Sequence, residues 1–426
     1  MGRDPAGRRT GDAALRALAA LGLALVLGGA VQAAPIPGYV RDGRTCDGYP
    51  RAPIETAPGL CAGIVLAPPP SGLFASKRKL HLPRTLLALP NGDLLVADLG
   101  IWDPGRGSVW RLTPQPGGEP KLVRLLDRLD LPHTLAIGPD GKVYMGEMSR
   151  IRRFDPAAAD PQATLETVVA GLPDNRLHAN RHPLSAFIFD ADNALLVDVG
   201  APTDQCPPQP GETRCAEADG PRAQAAIWRF AYQGAGRWAQ DPVVHARGLR
   251  NSLALIRTRG GAILQAENSI DVPDPKWPPE ELNVIRAGAD YGWPYCVGAG
   301  QPAPAWRGKG VGCAASVKPA LLLAPHGAPL GLIEYDGAMF PELRGRLIMT
   351  LHGYRSTGSH LMAYPLDASG RPRAGDKGRD LTPGWRAVAG RRPSGSPVGL
   401  AVTPDGAIWV ADDRNGAILR FARDQH

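Results

Sequence analysis

Several signatures are missing from this chain of 426 residues, and each absence removes a class of function. No G-x-S-x-G or H-E-x-x-H occurs, so the common serine- and zinc-hydrolase motifs are excluded. No C-x-x-C occurs either, which excludes a zinc ribbon and a c-type haem attachment. No glycine-rich phosphate loop stands between a strand and a helix. The net charge is +7, but the basic residues are scattered and accompany no nucleic-acid motif. Nucleic acid is therefore not an expected partner. Beyond residue 33 no apolar run is long enough to span a bilayer, so no integral membrane segment is expected in the mature chain.

Glycine and proline are plentiful, at 52 and 44 residues, without a Gly-X-Y period. Charged residues make up 21% and hydrophobic ones 43%, which excludes a disordered chain and favours a turn-rich β protein. At the amino terminus Arg3, Arg8, Arg9 and Arg16 precede an apolar stretch that closes on Val31-Gln32-Ala33. This order describes a secretory signal peptide over 1–33 and predicts a periplasmic or secreted product. The six cysteines fall as near neighbours: Cys46 with Cys61, Cys206 with Cys215, and Cys296 with Cys313. Closing short loops costs least entropy, so these pairs are the expected disulfides of an oxidising compartment.

One unit recurs along the chain. A turn followed by a short apolar strand reads Pro90-Asn91-Gly92 then DLLVAD, and Pro139-Asp140-Gly141 then KVYMGE. It continues as Ala191-Asp192-Asn193 then ALLVDVG, Gly260-Gly261 then AILQAEN, Gly345 then RLIMTLHG, and Pro404-Asp405-Gly406 then AIWVADD. An apolar segment precedes each turn and a third one follows each hairpin, as in SVWRL, AIWRF and AILRF. Six such units cannot bury their faces alone and must stack radially. The expected fold is all-β, a six-bladed β-propeller over 65–426, preceded by an extension over 34–64 that carries the first disulfide. Long insertions at 200–225, 268–281 and 294–327 mark the loops where function gathers.

The candidate residues lie at corresponding places in the repeat. His182 precedes the inner strand pair of the third unit, where an imidazole near neutral pH serves as a general base. Arg250-Asn251 holds the equivalent place in the fourth, offering a planar fork beside a neutral donor and acceptor. Glu267, Asp271, Asp274, Glu280, Glu281 and Asp290 make the following insertion oxygen-rich, as a Ca²⁺ loop requires, although no EF-hand spacing is present. Asp412-Asp413-Arg414-Asn415-Gly416 reads as a hairpin turn.

From about Leu82 to Phe421 these residues resemble the soluble, pyrroloquinoline-quinone-dependent sugar dehydrogenases of the glucose/sorbosone dehydrogenase family. The stretch from His182 to Gly200 carries the resemblance. So do Gly248-Leu249-Arg250-Asn251, Glu281-Leu282-Asn283, Tyr291-Gly292-Trp293-Pro294 and the last Pro404-Asp405-Gly406. The resemblance implies a six-bladed propeller that oxidises an aldose-type sugar, with His182 as general base. Arg250 and Asn251 would contact the quinone. Its Ca²⁺ would rest on the backbone carbonyls of Ser269 and Ile270, and a second Ca²⁺ would lie around Glu281 and Tyr291. The electrons would leave to a separate acceptor, a cytochrome or the quinone pool.

The chain departs from the family at three places. Ala201 stands where an Asp supports the base, and Ser396-Pro397-Val398 stands where two arginines clamp the cofactor. In the fifth unit Leu351-His352-Gly353-Tyr354-Arg355 lacks the family's lysine, but its His352-Gly353 is similar to the sorbosone-dehydrogenase-like branch. His326, Arg355 and Arg392 are the candidates to supply the missing charge. Two further readings stay open: a Ca²⁺-dependent propeller lactonase, and a non-catalytic propeller that binds sugars or partners.

Overall fold

The structure, a computed structural model, describes residues 39, 41, 43–68, 79–173, 182–353, 355–385 and 395–425. All of them belong to the compact unit Pro35–His426; the expected signal peptide and Arg392 lie outside the described residues.

Six sheets follow one another as six blades, each built on four antiparallel strands, the third extended by a short fifth strand, Ala289–Asp290, parallel to Val243–Arg247; the fold is a six-bladed β-propeller. Their innermost strands are Pro83–Ala88, Leu135–Ile137, Phe187–Phe189, Ala254–Arg257, Pro329–Glu334 and Pro397–Val402. In each blade the tight turn seen in the repeat joins this strand to the second: Leu94–Asp98, Val143–Glu147, Leu195–Val199, Ile263–Glu267, Arg346–Leu351 and Ile408–Asp412. The sixth blade takes its outer strand from the other end of the chain, where Leu60–Leu66 pairs antiparallel with Ala417–Arg423. The propeller thus begins at Leu60 rather than at residue 65. Gly63 lies in this closing strand because any Cβ there would meet Tyr49 Cβ at 2.9 Å and the Cys46 carbonyl at 3.0 Å. Arg51 forks onto Asp424 at 3.0 and 2.7 Å, and the Cys46–Cys61 disulfide fastens the incoming loop to the same strand.

A buried apolar cluster fills each seam between neighbouring blades, such as Leu95, Val109, Val143 and Phe154 between the first and second. The same holds for Leu264, Leu332, Leu347 and Met349 between the fourth and fifth. This packing explains why the unit has to repeat: each sheet buries both faces only against its neighbours. A further cluster crosses the axis. Leu99, Met148, Leu184, Leu253, Leu330 and Val398 come one from each blade and form an apolar collar across the channel.

The second strands of four blades end in a buried acid, Asp98, Glu147, Glu267 or Asp412. Each accepts backbone N–H groups from the loop that leads into the innermost strand of its own blade. Asp98 takes Leu82 at 2.7 Å, Glu147 takes Asp130 at 2.9 Å, Glu267 takes Arg250 at 2.6 Å, and Asp412 takes Ser396 at 3.1 Å. The recurring acid at the end of the repeat's strand is therefore a device that satisfies loop amides at one end of the propeller. That end carries the polar residues described next.

Candidate functional site

The three insertions pack into a small body of their own above the third and fourth blades. Ala201, Ile270, Trp293 and Trp306 share its buried apolar cluster, and the Cys206–Cys215 and Cys296–Cys313 disulfides fasten it. Trp293 Nε1 donates to the Asp204 carbonyl at 3.0 Å and Trp306 Nε1 to that of Gln205 at 3.3 Å, which sets Asp204 over the fourth blade.

His182 and Arg250 meet beneath this body. His182 Nδ1 donates to the Ala201 carbonyl at 2.6 Å, and the Ala201 N–H donates to the Arg250 carbonyl at 2.8 Å. Gly200 permits the approach, since a Cβ there would fall 2.6 Å from His182 Cβ. The Arg250 side chain is buried and fully engaged: its guanidinium reaches Asp204 Oδ1 at 2.7 Å, the Asn268 carbonyl at 2.9 Å and Asp271 Oδ2 at 3.4 Å. Burial would raise the Asp204 carboxyl, but Arg250 outweighs it and holds it below the usual range.

His326 and Arg355 act on the same insertion. His326 Nε2 donates to the Asp274 carbonyl at 2.7 Å, and Arg355 donates to the carbonyls of Asp274 at 3.1 Å and Val272 at 2.9 Å. With Arg250 they strap residues 268–277 across the fourth and fifth blades. Within the strap, no hydrogen bond reaches the carbonyl oxygen of Ser269 or Ile270 from any described residue, while the Ser269 N–H donates to Glu280 at 2.6 Å. Burial lifts the Glu280 and Glu281 carboxyls to about 7, and burial with repulsion from Glu281 raises Glu267. Unengaged carbonyls beside buried carboxyls under mutual repulsion are a donor set that suits Ca²⁺. Glu281 and Tyr291 have separate partners: Glu281 accepts the Gly298 N–H at 2.7 Å, whereas the Tyr291 hydroxyl donates to the Val284 carbonyl at 2.6 Å. Among the described residues the one tight grouping of metal-ligand types is Cys206, Cys215 and Glu217; its cysteines are disulfide-bonded and offer no thiolate.

The other side of the mouth joins His352 and Asp413 to Arg84 and His133, two residues that local sequence patterns did not mark. Arg84 NH1 donates to Asp413 Oδ2 at 2.6 Å, and His352 Nε2 donates to Asp413 Oδ1 at 2.9 Å. Asp413 therefore joins the first, fifth and sixth blades and is no mere turn residue. Burial alone would raise its carboxyl, but His352 and Arg84 bring it down to about 2. His133, buried in the second blade and near Arg84, is pushed well below its ordinary value by burial and by that positive charge. Three buried polar atoms around this mouth have no partner among the described residues: Arg84 Nε, His133 Nε2 and Asn251 Oδ1. Such orphans are rare inside proteins and call for a ligand or water. Trp102 lies next to Arg84, 44% exposed, its ring 5.9 Å from the guanidinium. Arg84 and His133 stand where their blades lead into the innermost strand, as Arg250 does in the fourth. Aligning the six units position by position would have found them.

The comparisons agree with this architecture. Nothing among curated proteins matches the chain. Among solved structures it is similar to the holo pyranose dehydrogenase PQQ domain of Coprinopsis cinerea, with 22% identity, TM-score 0.67, 89% of this chain and 100% of that chain covered. It is also similar to the calcium structure of Trichoderma reesei Carbohydrate-Active Enzymes Family AA12, with 19% identity, TM-score 0.69, and 87% and 97% covered. The PQQ-bound aldose sugar dehydrogenase of Streptomyces coelicolor follows at 18% identity, TM-score 0.56, and 87% and 100% covered. At these identities the three establish a shared fold. The TrAA12-like family profile matches residues 72–423, and the chain belongs to that family.

Proposed function

We propose that the protein is an oxidoreductase that oxidises the anomeric carbon of an aldose-type sugar with pyrroloquinoline quinone and Ca²⁺. The observation that carries this reading is the bond from His182 Nδ1 to the Ala201 carbonyl. A carbonyl only accepts, so Nδ1 bears the hydrogen and Nε2 of the neutral ring is left as the base. Here a backbone oxygen does the orienting that the resembling family assigns to an Asp side chain, and His182 takes the proton of the sugar's anomeric hydroxyl.

Arg84, His133 and Asn251 would hold the quinone with their orphaned atoms, beside the His352 and Asp413 pair. The carbonyls of Ser269 and Ile270 would receive Ca²⁺, with Arg250, His326 and Arg355 fixing the strap that presents them. When bound, the quinone supplies the two-electron acceptor and the ion polarises it. Trp102 offers an exposed aromatic face against which a pyranose ring stacks. The structural neighbours, which include quinone-bound and calcium forms, support the same reading.

Three disulfides suit an oxidising compartment, and no helix among the described residues is long and apolar enough to cross a membrane. We therefore place the protein outside the cytoplasm, passing electrons to a separate acceptor. Reconstitution tests the reading: purified protein with Ca²⁺ and the quinone is expected to reduce a dye when given aldoses. Lactone opening without dye reduction, or neither reaction, would overturn it.

A further inference from the structure

The fourth and fifth blades end in the shortest outer strands of the propeller, Leu321–Leu323 and Arg379–Asp380, with 3 and 2 residues where the others have 5 to 9. Short edges leave the seam between these blades uncovered, and a cavity of about 840 Å³ opens there. That volume falls within the about 300–1,000 Å³ of small-molecule sites. Its accessible apolar lining comes from Pro319, Ala320, Ala324 and the half-buried Met362, whose thioether adapts to a flat ring. The wall continues into the segments that carry the mouth. Of its residues, Leu351 precedes His352, Ser356 follows Arg355, and the Thr357 hydroxyl donates at 2.6 Å to the carbonyl of Pro325, next to His326.

One polar pair stands in this cavity. Asp380 accepts the Thr382 N–H at 2.9 Å through Oδ1, and its Oδ2 lies 2.8 Å from His360 Nδ1. The angle misses that of a hydrogen bond, so the carboxylate orients the imidazole by electrostatic attraction. Nδ1 is buried while 16% of the side chain is exposed, which leaves the Nε2 edge open to the cavity. The charges around it favour neither sign. Asp376 and Asp380 balance Lys318 and Lys377, and Lys318 Nζ already donates to the Cys313 carbonyl at 2.7 Å. The fit is a neutral molecule with an apolar body and an oxygen for Nε2. That nitrogen accepts from a hydroxyl when the ring is neutral and donates to a carbonyl when it is protonated. A quinone presents the same oxygen in both forms, carbonyl when oxidised and hydroxyl when reduced.

We propose that this cavity docks a small benzoquinone-type molecule as the electron acceptor, its ring against Met362 and one ring oxygen at His360 Nε2. The proposal rests on the redox reading above and adds to it the chemical class and the place of the acceptor. The two electrons and two protons withdrawn from the aldose turn both C=O groups of the acceptor into C–O–H. One of the protons passes through His360, which regains it from water.

The test first titrates duroquinone into the cofactor-free protein, followed by saturation-transfer NMR. Two variants accompany the wild type: His360→Phe, which keeps an aromatic ring and loses Nε2, and Ala320→Trp, which fills the cavity away from the polar pair. Duroquinone should bind the wild type, and both variants roughly tenfold more weakly, the worth of one hydrogen bond. After reconstitution with pyrroloquinoline quinone and Ca²⁺, aldose-driven reduction of duroquinone should fall by a similar factor in Ala320→Trp. Reduction of ferricyanide, an anion the cavity does not select, should stay at the wild-type rate. Where His360→Phe proves poorly folded by melting temperature, Ala320→Trp decides alone. With ferricyanide reduction intact, absent duroquinone binding, binding that Ala320→Trp leaves unchanged, or equal duroquinone turnover by Ala320→Trp and wild type would overturn the proposal. Duroquinone binding to a protein that reduces neither acceptor would instead refute the redox reading, and the acceptor role with it.

Discussion

The imidazole of His182 is held by the backbone of Ala201, with 2.6 Å between Nδ1 and the carbonyl oxygen. A main-chain oxygen cannot be lost by substitution at its own side chain, and it fixes the tautomer as a carboxylate would. The difference is electrostatic: a neutral carbonyl does less than an anion to stabilise the imidazolium that would form if His182 takes a proton as proposed. The same residue reaches Arg250 through its N–H at 2.8 Å, so two hydrogen bonds link His182 to the residue that holds the strap over the fourth blade.

Arg250→Lys should therefore act on stability as well as on the cofactor. A lysine ammonium cannot meet Asp204, the Asn268 carbonyl and Asp271 from one plane, as the fork does. Urea unfolding of the cofactor-free variant is expected to show a loss of about 1–3 kcal/mol, together with weaker quinone binding by titration. An unchanged midpoint with unchanged quinone affinity would remove Arg250 from both roles.

Asp198 gives a pH dependence with a definite sign. It is buried between the third and fourth blades, accepts the Ser252 N–H at 3.3 Å, and keeps one carboxylate oxygen without a partner among the described residues. Burial raises its carboxyl to about 8 against the bonds from Ser252, whereas an unfolded Asp titrates near 3.9, to within about a unit. Between those values the folded protein holds a proton that the unfolded chain has lost, so this group lowers stability as pH rises. Asp198→Asn should thus gain melting temperature relative to the wild type on going from pH 5 to pH 8. A difference that stays flat over that range would show that Asp198 is ionised in the native state.

Removal of Ca²⁺ should lower the melting temperature and abolish dye reduction together, because an ion bound only by the folded protein stabilises it by mass action. The open carbonyls of Ser269 and Ile270 and the raised carboxyls of Glu280 and Glu281 motivate this expectation. Scanning calorimetry before and after a chelator, with Ca²⁺ added back, checks it; an unmoved transition would count against an ion in the strap.

Trp102→Ala should raise KM for sugars roughly three- to tenfold, as expected for an aromatic contact of about 0.5–1.5 kcal/mol, with kcat nearly preserved. Steady-state kinetics on the reconstituted variant reads this directly. A fall in kcat at constant KM would place Trp102 in the chemistry instead of at the rim.

Much of the fold was legible because a propeller writes itself locally. Each hairpin carries its own turn, so six copies of a turn and strand announced six blades, and three pairs of nearby cysteines announced three disulfides. The closing strand was not legible. The turn before LCAGIVL, Pro58-Gly59, does not lead to its partner, because Ala417–Arg423 lies at the far end of the chain. Candidate residues stood out in the sequence only where a motif was local, as at His182 and Arg250, which the structure brings together through Ala201. Asp413 read as a turn because its meaning comes from Arg84 and His352, which radial stacking brings to it from two other blades. His326 and Arg355 were singled out for their charge; in the structure their N–H groups donate to carbonyls of the strap, a use that no spacing rule expresses.

The most direct test of the central claim is a single-turnover comparison of the wild type with His182→Ala, both loaded with quinone and Ca²⁺ and checked for folding. Mixing with an aldose and following the cofactor spectrum reads the chemical step per loaded molecule. A positioned general base contributes about 10²–10⁴-fold, so the variant should reduce its cofactor more slowly by roughly that factor while binding the quinone with nearly the wild-type affinity. Equal rates per loaded, folded molecule would contradict the assignment of His182 as the base and, with it, this account of the site.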